Sequence, residues 1–354
     1  MSLMTQGKKI LVTVCSKVKE LIKRMKIIAE ILSIVILLAG MASCTKTDRL
    51  YDDDRTEIAM RPVMSVMPKA PVTGTEYPVG ASFGVNAYYS SDYSHGQEWT
   101  SVSSVQPYFE NRKFVKEDET FSGDPDCYWP HSGSLVFAGY SPYNQDVDPS
   151  FDPSSKTLSI KGFTSDGQTD LMYFLPELSN GRLKGLNTST TPVPVSFSHA
   201  LTLLEFNIKG IEGDEPIRLK KISIAKGKWY STGDFTVTVG GNPEWENVVT
   251  SGNDDLEIYS PESGHPITTT PFSVSGLVIP GKIEENKNAV DIKIDYEVNA
   301  AQTYQKSGTV ETSVQPIWVI GNKYIYDITI ASGFIVVDPS VGNYTVVDGP
   351  DPEI

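Results

Sequence analysis

The chain has 354 residues, 30 of them Lys or Arg and 44 Asp or Glu, for a formal net charge of −14. That length suits one large or two ordinary domains with ample apolar material for a core. The acid surplus argues against a nucleic-acid partner, because clustered Lys and Arg carry affinity for phosphate backbones, and it favours solubility instead.

In chain order, the first feature is a short apolar run at residues 31–39, preceded by Lys23, Arg24 and Lys26. A membrane-spanning helix needs about 20 apolar residues, whereas a secretory h-region needs about 7 to 15. The run therefore reads as a signal peptide, and the chain as exported. It continues into Leu38-Ala39-Gly40-Met41-Ala42-Ser43-Cys44, where small residues precede a cysteine. This is the pattern of a lipoprotein processing site, with the Cys44 thiol and the freed amine acylated to anchor the mature chain by lipid. The competing reading is an ordinary signal peptide, or an anchor helix, with a coincidental cysteine. An n-region is normally a few residues with one or two positive charges, so Met25-Lys26 makes a better start than Met1. Residues 1–44 are set aside as signal peptide and 45–60 as a flexible lipidated leader. Cys15 and Cys44 fall in or beside that part, so Cys127 is the remaining thiol and no internal disulfide is available.

After Cys44 there is no sustained helical periodicity. Apolar alternation or β-branched and aromatic runs predict strands near 77–89, 134–140, 157–163, 170–175, 193–197, 201–208 and 217–225. Further strands are expected near 234–239, 272–279, 290–298, 304–310, 317–320, 324–330, 334–337 and 344–347. Turn chemistry separates them at Asn111-Arg112, Ser165-Asp166-Gly167, Gly240-Gly241-Asn242-Pro243, Ser251-Gly252-Asn253-Asp254 and Gly321-Asn322. Many short strands at this spacing make an all-β protein of β-sandwiches. The best hinge is Gly210-Ile211-Glu212-Gly213-Asp214, which divides the mature chain into 61–212 and 213–354.

Motifs for chemistry fail on context. Gly80-Ala81-Ser82-Phe83-Gly84 fits G-x-S-x-G, but a nucleophile elbow needs a following helix, and Val85-Asn86-Ala87-Tyr88-Tyr89 continues as strand. The near-match to a phosphate loop ending in Gly281-Lys282 has Ile283 where Ser or Thr is required and Pro280 before its second glycine. His95, His131, His199 and His265 show no zinc spacing, and His199 reads as a residue bonded locally at its strand. Asp124, Asp126, Asp254 and Asp255 could hold a surface calcium, but they read better as solvated loops. No catalytic residue, metal ligand or cofactor is assigned. Trp99, Trp129, Trp229, Trp245 and Trp318 could build a sugar-stacking platform, although in a β-sandwich such rings default to the core. Tyr88, Tyr89 and Tyr93, beside a Ser-rich polar loop, are the exceptions to watch.

Three segments carry a family resemblance by their order: Tyr128-Trp129-Pro130, Leu135-Val136-Phe137-Ala138-Gly139-Tyr140-Ser141-Pro142, and Val195-Ser196-Phe197-Ser198-His199-Ala200-Leu201. With Asp170-Leu171-Met172-Tyr173 and Gly321-Asn322-Lys323-Tyr324-Ile325-Tyr326-Asp327-Ile328, the chain resembles the fimbrillin-like (Mfa-like) fimbrial subunits, the type V pilins, over nearly its whole mature length. The resemblance implies two tandem transthyretin-like β-sandwich domains behind a lipoprotein signal peptide. It implies delivery to the outer membrane and a structural or adhesive place in a surface fimbrium, with other fimbrial subunits and a host or bacterial surface receptor as partners. In such a family an Arg-specific protease removes the leader with its first strand, and a C-terminal strand of the next subunit fills the groove by β-augmentation. Arg49 and Arg55 are the processing candidates here, in a stretch rich in acid at Asp48, Asp52, Asp53 and Asp54; the other reading is that they balance local charge. Arg61 is a poorer candidate because Pro62 follows it. Donor-strand candidates are Phe334, Val336, Tyr344 and Val346 in a tail at 332–354, with a C-terminal hairpin completing its own sandwich as the competing reading. The alternative function is a surface glycan-binding lipoprotein.

Overall fold

A computed structural model describes residues 55–62, 77–281, 290–298, 306–314, 318–331 and 334–343. Among them the regular structure is strand throughout, with one 3-10 turn at Thr188–Thr190. The all-β expectation holds.

The largest sheet has eight strands. Their spatial order is Val193–Val195, Ala59–Pro62, Phe121–Asp124, Gln106–Lys116, Ser82–Ser90, Ser134–Ser141, Met172–Phe174 and Ser198–His199. Its two edges, Val193–Val195 and Ser198–His199, are separated in the chain by Ser196 and Phe197 alone. A sheet whose first and last strands adjoin in sequence must curl upon itself, and this one wraps a core. Alternation does the sorting. Phe83, Val85, Ala87, Leu135 and Phe137 point into the wrapped core with Phe114, Phe121, Phe174 and Phe197. Tyr88, Val136, Ala138 and Tyr140 face the other way, into a second core. That is why every residue of Ser134–Ser141 is buried.

The second core is closed by a four-stranded sheet, ordered Pro243–Thr250, Tyr230–Thr238, Thr157–Thr164 and Asp148–Asp152. It contributes Phe151, Leu158, Ile160, Phe235 and Val237. Tyr230–Thr238 pairs antiparallel with Thr157–Thr164, so strands from both sides of residue 212 share one sheet. A third core lies between two further sheets. One is ordered Phe272–Val278, Thr202–Lys209, Asn322–Ala331 and Phe334–Asn343; the other runs Leu256–Tyr259, Ile217–Ile224, Val290–Val298 and Lys306–Val314, with His265–Ile267 also on Ile217–Ile224. Thr202–Lys209 shows strict alternation, with Thr202, Leu204, Phe206 and Ile208 inward. The chain thus leaves the wrapped sheet at His199 and enters the third core at Thr202. The Gly210–Asp214 segment is a turn between two strands of that same core, with φ +78° at Gly213.

One turn signal proves to be something else. Asn111 sits inside Gln106–Lys116 with φ +42°, where the pairing with Ser82–Ser90 shifts register. It is a bulge residue, held by its own N–H donating to Asn86 Oδ1 at 2.7 Å and by Tyr140 Oη at 3.1 Å.

Candidate functional site: the first strand and its slot

Residues 56–62 run through the wrapped sheet rather than along its rim. Met60 pairs antiparallel with Phe121, and Met60, Arg61 and Pro62 pair parallel with Val193, Pro194 and Val195. The Ile58 N–H donates to Cys127 O at 2.8 Å, and Trp129 N–H donates to Thr56 O at 2.9 Å. Ile58 and Met60 are wholly buried in the wrapped core, each burial being worth about 1.5–3 kcal/mol, while Arg61 between them and the next strand faces solvent. Behind them the slot is floored by rings that brace one another. Phe83 lies 4.6 Å from Phe121 and 5.4 Å from Phe197, centroid to centroid, and Tyr77 meets Phe121 edge-on at 5.4 Å. Such packing is stiff, so the slot has a defined shape complementary to an extended segment with an apolar residue at every second position.

Cys127 is part of the slot wall. Burial pushes its thiol up to about 11, against the opposing pull of Arg112. At neutral pH it is a neutral packing group.

The sequence-predicted residues divide around this slot. Cys44 and Arg49 lie outside the described residues, as do Tyr344 and Val346. Arg55 is exposed, with its guanidinium 5.3 Å from the centre of the Tyr128 ring, at the mouth of the slot and N-terminal to the strand. Phe334 and Val336 belong to Phe334–Asn343, a strand that runs on through the break expected at Asp338-Pro339-Ser340, while the strand expected at 344–347 lies outside the described residues. Phe334–Asn343 pairs with Asn322–Ala331 from Phe334 opposite Ala331 to Asn343 opposite Asn322. Pro339 is tolerated inside it because it is the edge strand of its sheet.

The aromatic platform does not form. Trp99, Trp129, Trp229 and Trp318 are buried. Every indole N–H has an internal acceptor: Ser134 Oγ for Trp99, Thr191 Oγ1 for Trp129, Asp254 O for Trp229, Ala200 O for Trp245 and Tyr326 Oη for Trp318. Tyr88 is buried, Tyr89 leans toward Tyr108 with centroids 6.2 Å apart, and Tyr93 stacks on Trp99 at 6.1 Å while its Oη receives the Ser101 N–H at 2.7 Å.

Sequence reasoning missed a pair that unites two of its own motifs. His199 Nδ1 lies 2.8 Å from Asp170 Oδ2, both side chains about 95% buried. From the neighbouring residues, Ala200 N–H donates to Leu171 O at 2.8 Å and Gly321 N–H to Leu201 O at 2.9 Å. Three motifs therefore meet where the chain passes from the wrapped sheet to the third core. They are scaffold, and no residue-spacing signal could have paired them. Ser82 opens a strand, as its context suggested. Among the described residues no cluster of His, Cys, Asp and Glu is arranged to hold a metal.

A family model described as fimbrillin-like matches residues 72–346, and the chain belongs to that family. The class of protein is thus a fimbrial subunit. A proposed cell adhesion protein from Bacteroides uniformis is similar in structure at TM-score 0.50 and 16% identity, with 83% of this chain and 99% of that one covered. A fimbrial protein from Bacteroides vulgatus gives TM-score 0.48 at 16% identity over 82% of this chain and 100% of its own. The tip fimbrial protein Mfa3 from Porphyromonas gingivalis gives 0.34 at 12% identity over 81% and 98%. No curated protein matches the chain.

Proposed function

We propose that the chain is exported as a lipoprotein acylated at Cys44, reaches the outer membrane, and serves as a structural or adhesive subunit of a surface fimbrium joined to its neighbours by strand exchange. The observation that supports this most directly is the seating of Ala59–Pro62 between Val193–Val195 and Phe121–Asp124, with Ile58 and Met60 fully buried. Ala59–Pro62 is the first described strand of that sheet in chain order, so with the leader cut it can leave without cutting the body of the chain. Its departure opens a slot with unpaired backbone on both sides, which an incoming strand with alternating apolar residues would fill. We assign two sandwich bodies to these tasks, the wrapped sheet with its partner as acceptor and the C-terminal sandwich as carrier of the donor tail. Tyr344 and Val346 are the better donors, because Phe334 and Val336 are already paired with Ala331 and Thr329.

The position of the arginines sharpens the proposal. Arg49 and Arg55 precede the strand, so a cut after either frees the lipidated leader and leaves Ala59–Pro62 seated. Arg61 is inside the strand and is followed by Pro62; from there to Arg112 the sequence has one Lys or Arg, Lys69. Processing at Arg49 or Arg55 alone therefore yields a released subunit with a filled slot. To test this, the purified precursor is treated with an Arg-specific protease and followed by SDS-resistant laddering and by Cys127 alkylation. The expectation is a trimmed monomer with Cys127 protected, and ladders once residues 56–62 are deleted. Monomer after deletion, with the slot open to alkylation, would sink strand exchange.

A further inference from the structure

Among the described residues, the wrapped sheet has a seam beside Ser134–Ser141. Ser134–Ser141 pairs with Met172–Phe174 from Ser141 opposite Met172 to Gly139 opposite Phe174, and that register continued would set Phe137 opposite Pro176. Proline has no N–H to give to Phe137, and the ladder ends there. Two residues further, Leu135 exchanges backbone hydrogen bonds with Leu186 at 2.9 and 2.8 Å. Leu135 therefore turns its N–H and C=O away from Ser82–Ser90, and so does Phe137, two places along. The result is a cleft of about 360 Å³, bounded by Phe137, Phe174, Pro176 and Leu186 on one side and by Val193, Pro194 and Val195 on the other. That volume is within the range of small-molecule sites.

The rim of this cleft is polar and built. Glu177 and Lys184 stand across from each other as an ion pair, Oε2 to Nζ 3.2 Å, tied below by the Lys184 N–H to Glu177 O at 3.2 Å. His95, Ser189 and Thr190 complete the mouth, with Thr190 Oγ1 3.4 Å from His95 Nδ1 and Ser189 fixed by its Oγ donating to Asn187 Oδ1 at 2.8 Å. The wall behind is clamped by Glu98. Its carboxylate accepts from Ser179 Oγ at 2.8 Å, Asn180 Nδ2 at 2.6 Å and Arg182 Nη1 at 3.4 Å, contacts that hold it below the usual carboxylate range, the Ser179 bond foremost.

The geometry points to a binding site for a neutral saccharide in this seam. Both signs of charge are present on the rim and cancel, so a phosphate or sialate finds no net field. A hydroxyl both donates and accepts, which matches a rim where donors and acceptors alternate with bonding capacity to spare: Lys184 Nζ has three N–H and gives one to Glu177, the Glu177 carboxylate has further lone pairs, and Ser189 Oγ can still accept. The half-buried Leu186 and Leu175 offer apolar surface for the C–H face of a sugar ring. A peptide strand is disfavoured, because Pro176 on one wall and Pro194 on the other deny it a ladder. The inference stands apart from strand exchange, since a monomer with its first strand seated already has the cleft.

The test uses the unprocessed folded chain and saturation-transfer NMR with three neutral probes: methyl β-galactoside, methyl α-mannoside and methyl N-acetyl-β-glucosaminide. Sialic acid, inorganic phosphate and an alternating Val-Thr peptide serve as contrasts. At least one neutral glycoside is expected to bind in the millimolar range. Glu177→Gln and Lys184→Met should each weaken it about tenfold, close to the loss of one charge-assisted hydrogen bond. Ser189→Trp, on the exposed rim, should abolish binding with the melting temperature unchanged. No transfer to any of the three glycosides, binding of an anion or the peptide in their place, or binding indifferent to Ser189→Trp would overturn the assignment. Laddering of the strand-deleted protein is scored separately, so failure here leaves the strand-exchange reading to its own test.

Discussion

The first and the last described strands of this protein are held in opposite ways. Ala59–Pro62 has four residues, two neighbours and two wholly buried anchors around it. Phe334–Asn343 has ten residues and a single neighbour in the sheet order, and its Val336 is half exposed. Ladder length does not decide which is harder to lose. An exposed backbone hydrogen bond exchanges with water at a net gain of only about 0.5–1.5 kcal/mol, whereas removing a buried anchor forfeits its transfer energy and leaves a cavity besides. The short strand is therefore the one whose departure has consequences for the rest of the body.

The largest expected effect comes from placing a charge in each strand. Met60→Asp puts a carboxylate where no water reaches, between Phe121 and Val193, and should cost at least ~4 kcal/mol in urea unfolding, by lost apolar burial together with an unpaired buried charge. Val336→Asp, on the half-exposed last strand, should stay within about 0.5 kcal/mol. Equal losses at the two positions would erase the distinction between the strands.

The same contrast explains what could be read in advance. Thr202–Lys209 was legible because its inward positions alternate without a break, and the all-β class followed from many such runs. Ala59–Pro62 was not, since Ala-Met-Arg-Pro is too short to show a period and ends in a residue that argues against an interior strand; Pro62 is admitted here as the last residue of its strand. Gln106–Lys116 was hidden by the Asn111 bulge, which resets alternation and mimics a turn. Sheet order is less readable still. Nothing local in Tyr230–Thr238 announces Thr157–Thr164 as its partner, because that choice is made by Phe235 and Val237 packing beside Leu158 and Ile160. Of the candidate site, the sequence supplied the arginines and the tail but not the slot. It also missed the seam, which depends on Pro176 falling opposite Phe137, a register that exists only after folding.

A second effect, intermediate in size, follows from Cys127. With its thiol raised from about 9 to about 11 by burial, the thiolate at pH 8 is reduced ~100-fold relative to an open cysteine, and access is blocked as well. Iodoacetamide should label Cys127 only through opening of the first strand, with a rate that rises sharply when residues 56–62 are deleted. The sign of the stability effect follows from the same shift. A group whose folded value is raised contributes stability in full below its unfolded value, and loses it as pH climbs through the folded one. Stability should therefore fall between about pH 9 and about pH 11, and Cys127→Ser should remove that part of the slope. Labelling as fast in the intact protein as in the deletion would mean that the first strand guards nothing.

The smallest effect tests whether Pro339 limits side-by-side pairing of the last strand, long and edge-placed, with other chains. Pro339 lies opposite Tyr326 in the register and has no N–H, so an approaching strand meets an interrupted row of donors. Pro339→Thr restores the donor and a residue type that suits a pleated edge. The monomer should gain or lose less than about 1 kcal/mol, because the position has one neighbour and the change relaxes the unfolded chain as well. Association should respond more than stability. Sedimentation at rising concentration should show reversible self-association in the variant and none in the parent, and a variant that stays monomeric at every concentration would place the protection of this edge in its charges and twist rather than in its proline.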